Sequence, residues 1–318
     1  MSRIRVALLA GGWSGEREVS LKSGGAVGKA LDREKYEVIS LDPRDDLLTL
    51  IEKRDSIDVA FVLLHGRFGE DGRIQGLLDI LGIPYVGSGV LSSAMALNKK
   101  VAKERFKSGG LAVAQDMVVE RDRPFSPEAV VQALGPKTVV KPVSEGSSLG
   151  ASVCHGREQL LEGIERAFRY DDEVIVESFM AGQEVTCCVM GTRKLETLPL
   201  VEIVPQEGYP FFDYEAKYTT GATREICPAP LPEAVAEKVK TCAKKAHRLL
   251  KCGVWSRTDM ILCGEAVFVL ETNTIPGMTE NSLFPLAAKA AGLPLDRLVD
   301  RLITLSLEER GRVKPVVA

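Results

Sequence analysis

Arg257, Asp259, Glu271 and Asn273 stand at alternate positions in two strand-like runs, WSRTDMILC and VFVLETN, that meet over Gly264, Glu265 and Ala266. Side chains along an extended strand alternate between faces, so Arg257 shares a face with Asp259, and Glu271 with Asn273. A three-residue turn sets Asp259 opposite Glu271; a two-residue turn would shift the register by one and send the two carboxylates to opposite faces. With the longer turn, two carboxylates, an amide and a guanidinium converge. Mg²⁺ takes a few hard oxygens together with phosphate oxygens and water, so this set suits a metal–nucleotide site. From these residues alone, an exposed hairpin with its polar side chains outward reads the same way.

A second candidate is the loop EGSSLG (145–150), between the strand-like runs TVVKP and ASVC and preceded by Lys141. Successive backbone N–H groups in such a loop can cradle an anion, and the lysine adds charge. Read alone, it is more readily a flexible hairpin turn; only the preceding lysine and the downstream hairpin favour phosphate. It is not a Walker A loop, since the nearest attempt, at Gly28-Lys29, has Ser23 in place of the first glycine and Ala30 at the end. No GxGxxG follows the first strand, which removes the dinucleotide fingerprint.

The elements that must position these groups change character along the chain. Residues 1–97 alternate strand and helix: RIRVALLA, a helix over 19–31, YEVISLD, a short helix after Pro43, then VAFVLLH. This is a parallel α/β pattern, in which ligands sit beyond the carboxyl ends of the strands, here at GGWSGERE and HGRFGEDG. From Asn98 a basic helix, KKVAKERFKSGG, leads to the strands flanking EGSSLG. A third region opens near Glu184 with EVTCCVMG and LETLPLVEIV, then a long irregular loop over 205–228, a helix over 233–251 and the hairpin. A loop of that length predicts a lid.

The 318 residues exceed one ordinary core and predict two or three domains. With 45% hydrophobic and 27% charged residues and a net charge of −3, the composition is that of a soluble globular protein and argues against a nucleic-acid partner. No apolar run approaches membrane length and the chain opens on a strand rather than a leader, so a cytoplasmic location is expected. Seven cysteines without a CxxC pair argue against a disulfide frame or a zinc site and read as small, mostly buried apolar residues. The three histidines are too scattered for a metal cluster.

Five segments in order, GGWSGEREVSL (11–21), HGRFGEDG (65–72), KPVSEGSSLG (141–150), FFDYEAKY (211–218) and RTD…ETNTIPGMTENSL (257–283), make the chain resemble the D-alanine–D-alanine ligases of the ATP-grasp superfamily over nearly its whole length. The resemblance implies an α/β fold of three domains: 1–97, an N-terminal α/β substrate-binding domain; 98–183, a central ATP-grasp subdomain; and 184–318, a C-terminal subdomain with the metal site and the lid. It also implies a homodimer acting on D-alanine. ATP would lie between the last two domains with two Mg²⁺, or Mn²⁺, held by Asp259, Glu271 and Asn273. Lys99, Lys141 and Lys217 match ATP contacts, with Glu145, Gly146, Ser147 and Ser148 closing over the phosphates and Phe212 in the lid nearby. Glu177 and Glu184 match the groups at the adenine edge and the ribose.

The same resemblance implies that a D-alanine carboxylate is phosphorylated by ATP and that the amine of a second D-alanine attacks the acyl phosphate, making a precursor of peptidoglycan. Glu16 matches the carboxylate that binds the first ammonium, and Ser147 and Tyr218 match its ties to the loops. Arg257 and the N–H of Gly277 match the oxyanion site; a glycine in PGMT permits the close approach. Ser282 and the N–H of Leu283 match the receptor of the second carboxylate, in keeping with a helix N-terminus. His65 lies near that site or is a structural hydrogen-bonding group. Tyr218, in place of the phenylalanine of D-lactate-using relatives, favours the amide product.

Trp13, Asn98 and Phe212 depart from the family's frequent threonine, aspartate and tyrosine, and Trp13 bears on the shape of the first-substrate pocket. Alternatives are another carboxylate–amine ligase, such as a D-alanine–D-lactate or an L-dipeptide ligase, and a non-catalytic nucleotide or solute sensor, which would have little use for the whole ligand set.

Overall fold

The computed structural model describes residues 3–205 and 223–310. Strands β1 (Ile4–Leu9), β2 (Tyr36–Leu41), β3 (Val59–Val62) and β4 (Tyr85–Val86) form a wholly parallel sheet in the order β2-β1-β3-β4. Between them run α1 (Arg17–Ala30), α2 (Pro43–Glu52) and α3 (Arg73–Ile80). The short strands are apolar at nearly every position because both faces are covered. Ala7, Leu9, Ala60 and Val62 pack with Leu50 of α2 and Leu78 of α3. Val6, Leu8, Val59 and Phe61 pack with Val27 of α1 on the other face. The loops after β1 and β3 therefore emerge together at the carboxyl edge.

After α4 (Val90–Leu97), Asn98 caps α5 (Lys99–Ser108), its Oδ1 accepting the Val101 N–H at 2.9 Å. Asparagine serves this position as well as aspartate does. Strands β5 (Asp116–Glu120), β6 (Lys137–Pro142), β7 (Ser152–His155) and β8 (Glu173–Ser178) make an antiparallel sheet in the order β5-β8-β6-β7. Helices α6 (Pro127–Leu134) and α7 (Gly156–Ala167) cover one face, burying Val119, Val140, Val174 and Val176 against Val130, Leu134, Leu160 and Ile164. Alternation puts Asp116, Lys141 and Glu177 on the uncovered face.

The third sheet contains β9 (Gln183–Gly191), β10 (Leu195–Thr197), β11 (Val201–Pro205), β12 (Thr223–Ile226), β13 (Trp255–Cys263) and β14 (Ala266–Asn273), ordered β12-β11-β9-β13-β14 with β10 also on β9. Helix α8 (Glu233–Leu249), together with Ala102 and Phe106 of α5, packs on Val185, Cys187, Val189, Met260 and Val269. The opposite face, through Cys188, Met190 and Trp255, joins the core of the parallel sheet and the helices α9 (Leu283–Ala290) and α10 (Leu295–Arg310). Trp255 meets Phe61 and Phe284 edge-on at centroid distances of 6.2 and 5.1 Å. It thereby joins the first sheet to the third.

Three expectations change. LETLPLVEIV is two strands, because Pro199 has no N–H to give a ladder and interrupts the run. The segment 205–228 contains β12, four residues that pair with β11; residues 206–222 lie outside the described part. Only three of the seven cysteines (154, 187 and 188) are buried, the other four being partly exposed.

Candidate active site

The β13–β14 hairpin pairs Arg257 with Asn273 and Asp259 with Glu271, as the spacing predicts, but by a different route. Its turn has two residues, Gly264 and Glu265, with Cys263 opposite Ala266. The register then shifts between Met260, which faces Val269, and Asp259, which faces Glu271, leaving Leu270 as an extra residue. This is a β-bulge. It is required because Val267 and Val269 face the core under α8 whereas Glu271 lines the clefts described below. Strict alternation would hold Val269 and Glu271 on one face.

Arg257 clamps Asp259 with two bonds, Nε to Oδ1 at 2.9 Å and Nη2 to Oδ2 at 2.7 Å. The hydroxyl of Thr186 donates to Asp259 Oδ1 at 2.5 Å, and Asn273 Nδ2 donates to Oδ2 at 3.2 Å. Burial opposes the charge on Arg257, but Asp259 more than compensates and holds the guanidinium above its ordinary range. Among the described residues no cluster of three or more His, Cys, Asp or Glu side chains is arranged to hold a metal. The candidate set is two carboxylates and an amide. Each Asp259 oxygen already accepts two bonds, so a cation would replace one of those donors; the hard-oxygen set otherwise fits Mg²⁺ that draws its remaining ligands from phosphate and water.

Two clefts meet at this hairpin. One, of about 540 Å³, lies between the second and third sheets. Lys99, Lys141, Glu145, Ser148, Glu177, Glu184, Asp259 and Glu271 line it alongside apolar Ala114, Val139, Val153, Phe179, Met180 and Leu270. The other, of about 700 Å³, is bordered by Glu16, His65, Glu70, Ser147, Arg257, Asn273, Gly277, Ser282 and Leu283. Glu271 belongs to both.

The loop 145–150 forms the partition. Ser147 and Ser148 adopt left-handed backbone conformations with φ of 47° and 58°. Ser147 faces one cleft and Ser148 the other. The hydroxyl of Ser147 donates to Glu16 Oε1, Arg67 pairs with Glu145 at 2.9 Å, and Lys99 donates to the Glu145 carbonyl. A Cβ on Gly146 would fall 2.5 Å from Glu16 Oε2, so a side chain there would displace that carboxylate. Lys141 does not point into the loop's N–H groups; its ammonium pairs with Glu177 Oε2 at 2.8 Å.

In the second cleft, Glu70 accepts the Gly66 N–H at 2.8 Å and the Ile275 N–H at 3.4 Å. Burial, aided by repulsion from Glu16, pushes its carboxyl up to about 8, against the pull of those N–H groups and of Arg257. His65 is buried, which lowers it to about 4 and leaves it neutral at physiological pH; its Nε2 lies 3.4 Å from Ser23 Oγ. Ser23 Oγ in turn accepts the Met278 N–H at 3.3 Å. Ser282 stands at the N-cap of α9, where its hydroxyl accepts the Thr279 N–H at 3.1 Å. Gly277 is close by: a Cβ there would come within 2.9 Å of Ser282 Oγ.

All the described candidate residues border these clefts or, like Gly146, the small gap between them. Phe212, Lys217 and Tyr218 lie outside the described residues. Trp13 does not line the first-substrate region; it is 43% exposed and packs on Phe68 at 5.2 Å. Sequence reasoning missed Glu70, Ser23, Thr186, Asp116 and Lys103. Glu70 lies within HGRFGEDG, and Lys103 follows Lys99 by one helical turn, so both had a signal.

The profile of the D-Ala D-Ala ligase N-terminus matches residues 43–88, and that of the D-Ala D-Ala ligase C-terminus matches residues 106–304. A D-alanine–D-alanine ligase of Syntrophobacter fumaroxidans is 52% identical over 96% of this chain and 99% of its own length. The chain belongs to the D-alanine–D-alanine ligase family. Among solved structures of that family, the D-alanine–D-alanine ligase of Bacillus anthracis complexed with ATP superposes with a TM-score of 0.84 at 32% identity, covering 98% of this chain and 99% of that one. The VanG D-Ala:D-Ser ligase of Enterococcus faecalis gives 0.80 at 30% identity, covering 96% and 100%. The parallel sheet followed by two antiparallel sheets is thus the ATP-grasp fold of D-alanine–D-alanine ligases. Among the described residues no helix is long and apolar enough to cross a membrane.

Proposed function

We propose that this chain joins two molecules of D-alanine into D-alanyl-D-alanine, converting ATP to ADP and phosphate. The observation that carries the reading is the shared wall: a partly apolar cleft of nucleotide size and a polar cleft of amino-acid character meet at Glu271, beside Arg257 and Asp259. A γ-phosphoryl group in the first cleft then faces a carboxylate in the second.

The adenine rests on the apolar side chains around Phe179 and Met180, with Glu177 and Glu184 at its polar edge and the ribose. Lys99, Lys141 and Lys217 serve the phosphates, and the loop 145–150 with Phe212 of the lid closes over them. Asp259, Glu271 and Asn273 hold Mg²⁺ or Mn²⁺, which screens the phosphate charges. Glu16 takes the ammonium of the first D-alanine, and Ser147 and Tyr218 fasten that carboxylate to the loops. The carboxylate of this substrate attacks the γ-phosphorus and releases ADP. The amine of the second D-alanine, held by Ser282 and the Leu283 N–H with His65 near, attacks the acyl carbon and expels phosphate. Negative charge grows on the carbonyl oxygen as that bond forms, and Arg257 with the Gly277 N–H meets it. Fixed donors of this kind need no reorganisation during the reaction. Positioning supplies the rest of the acceleration, as in other phosphoryl transfers.

The proposed division at 97 and 183 follows the three sheets, with α5 as the connection, because that helix packs on the third sheet. A homodimer is proposed, which exposed Ile80 and Leu91 on α3 and α4 would suit. The use of ATP and of a free amino acid places the reaction in the cytoplasm, as a supply step for peptidoglycan. The test is mass spectrometry of ADP, phosphate and peptide formed from ATP, Mg²⁺ and D-alanine, repeated with D-lactate, D-serine or L-alanine in competition. Equal amounts of ADP and D-alanyl-D-alanine, persisting against the competitors, are expected; ADP without peptide, or a mixed product in excess, overturns the reading.

A further inference from the structure

Helix α5 presents Lys99, Lys103 and Lys107 one turn apart, on a stripe that faces the second sheet. Lys99 reaches the Glu145 carbonyl, and Lys107 pairs with Asp116 at 2.6 Å. Lys103, between them, is 2% exposed. Its ammonium binds Glu177 Oε1 and lies 3.2 Å from Asp116 Oδ1. Burying a lysine to that degree is costly unless its charge is matched, so the arrangement calls for a reason.

The partners supply one. Glu177 divides its carboxylate: one oxygen goes to Lys103 and the other to Lys141, at 2.8 Å. Lys141 and Glu177 line the nucleotide cleft, whereas Lys103 does not. Lys103 also belongs to a different body of packing. Its helix is anchored through Ala102 and Phe106 in the core of the third sheet, while Asp116, Lys141 and Glu177 sit on strands of the second. The ion cluster therefore ties the second sheet to the helix packed on the third, beside the cleft between them.

We propose that Lys103 is a positioning residue for the nucleotide: it fixes Glu177 and the second sheet against α5, so that Lys141 can leave its shared carboxylate for phosphate without stranding a buried charge. The inference deepens the nucleotide reading given above and rests on it. Lys103 touches no substrate and acts through Glu177, with Asp116 steadying it from the far side.

The test is calorimetric titration of Mg-ADP into the full chain without D-alanine, paired with kinetics in both substrates. Lys103→Met is expected to weaken Mg-ADP binding and raise KM for ATP by about 10- to 100-fold, the usual cost of losing a partner behind a binding group. KM for D-alanine should stay within about twofold, and Lys103→Arg, which keeps the charge, should recover most of the loss. Asp116→Asn should shift Mg-ADP binding in the same direction by a smaller factor; it decides the matter where Lys103→Met does not fold. Unchanged Mg-ADP binding in a folded Lys103→Met or, if that variant does not fold, in Asp116→Asn, or a parallel rise in both KM values, overturns the proposal while leaving the nucleotide cleft intact. A wild-type chain that binds no Mg-ADP instead removes the nucleotide reading itself, and this inference with it.

Discussion

The two clefts that share Glu271 are built on opposite plans. The proposed nucleotide cleft has an apolar floor and a set of buried ion pairs, with Glu177 bridging two ammonium groups. In the proposed amino-acid cleft, backbone N–H groups, hydroxyls and two crowded carboxyls predominate, and Glu70 in the loop after β3 and Ser23 of α1 tie residues 275–278 to the parallel-sheet domain. A large planar ligand is held by area and by charge that tolerates small shifts. Discriminating a small zwitterion requires donors and acceptors fixed to a few tenths of an ångström, in keeping with left-handed Ser147 and with Gly277, where a Cβ would come within 2.9 Å of Ser282 Oγ, on that side.

The contrast can be broken most severely at the shared wall. Glu271→Gln should abolish turnover while circular dichroism and melting temperature stay near wild type; normal activity would remove the hairpin as the site of chemistry. Arg257→Ala should lower kcat by about 10²–10³-fold, the cost of losing one oxyanion donor. Mg-ADP affinity measured by calorimetry should fall by a smaller factor, since Arg257 also clamps Asp259. Gly146→Ala confines the damage further. A methyl group 2.5 Å from Glu16 Oε2 is overpacked by about 1–3 kcal/mol, so KM for the first D-alanine should rise roughly 10- to 100-fold, with a smaller rise in KM for ATP because the same loop closes over the phosphates.

Titration sharpens the same comparison. Glu70, pushed by burial and by Glu16 from an ordinary 4.5 to about 8, binds a proton more tightly folded than unfolded, so the native chain loses stability as pH rises through 4.5 to 8. Glu177 shows the reverse. Burial would raise it, but Lys141 and Lys103 prevail and hold it near 2, so its contribution is complete above 4.5 and is lost as pH falls towards 2. Melting curves between pH 3 and 8 should therefore show Glu70→Gln gaining on wild type as pH rises, and Glu177→Gln approaching wild type as pH falls. The smallest effect is expected at the rim: Trp13→Ala should cost at most about 0.5–1.5 kcal/mol for the lost ring contact and change no substrate constant. A raised KM for D-alanine would bring Trp13 back into the pocket.

What could be read without coordinates was what repeats locally. The parallel βα units, the helix after Asn98 and the flanks of EGSSLG follow from alternation and turn chemistry, whereas the pairing of Asp259 with Glu271 is expected from the wrong turn and is kept by a bulge that alternation does not foresee. Strand β8 was harder, because its outward positions carry Glu173 and Glu177, whose role depends on lysines over seventy positions earlier in the chain. Glu70 meets Ile275 across an even longer separation. No period in a sequence encodes such meetings; only the way the sheets are stacked does.

Leu270 has a consequence beyond the register it restores. Because one additional residue absorbs the mismatch between tip and base, the outer end of the hairpin is insulated from the ligand-bearing end. Loop grafts or tags inserted between Gly264 and Glu265, in open space at the far end from the clefts, should leave catalysis untouched. Deleting Leu270 alone should close the bulge and spare the pairing, since Glu271 would then follow Val269 directly and by alternation still face Asp259 and the clefts. The working end of the hairpin thus has one residue of slack, held by a single leucine.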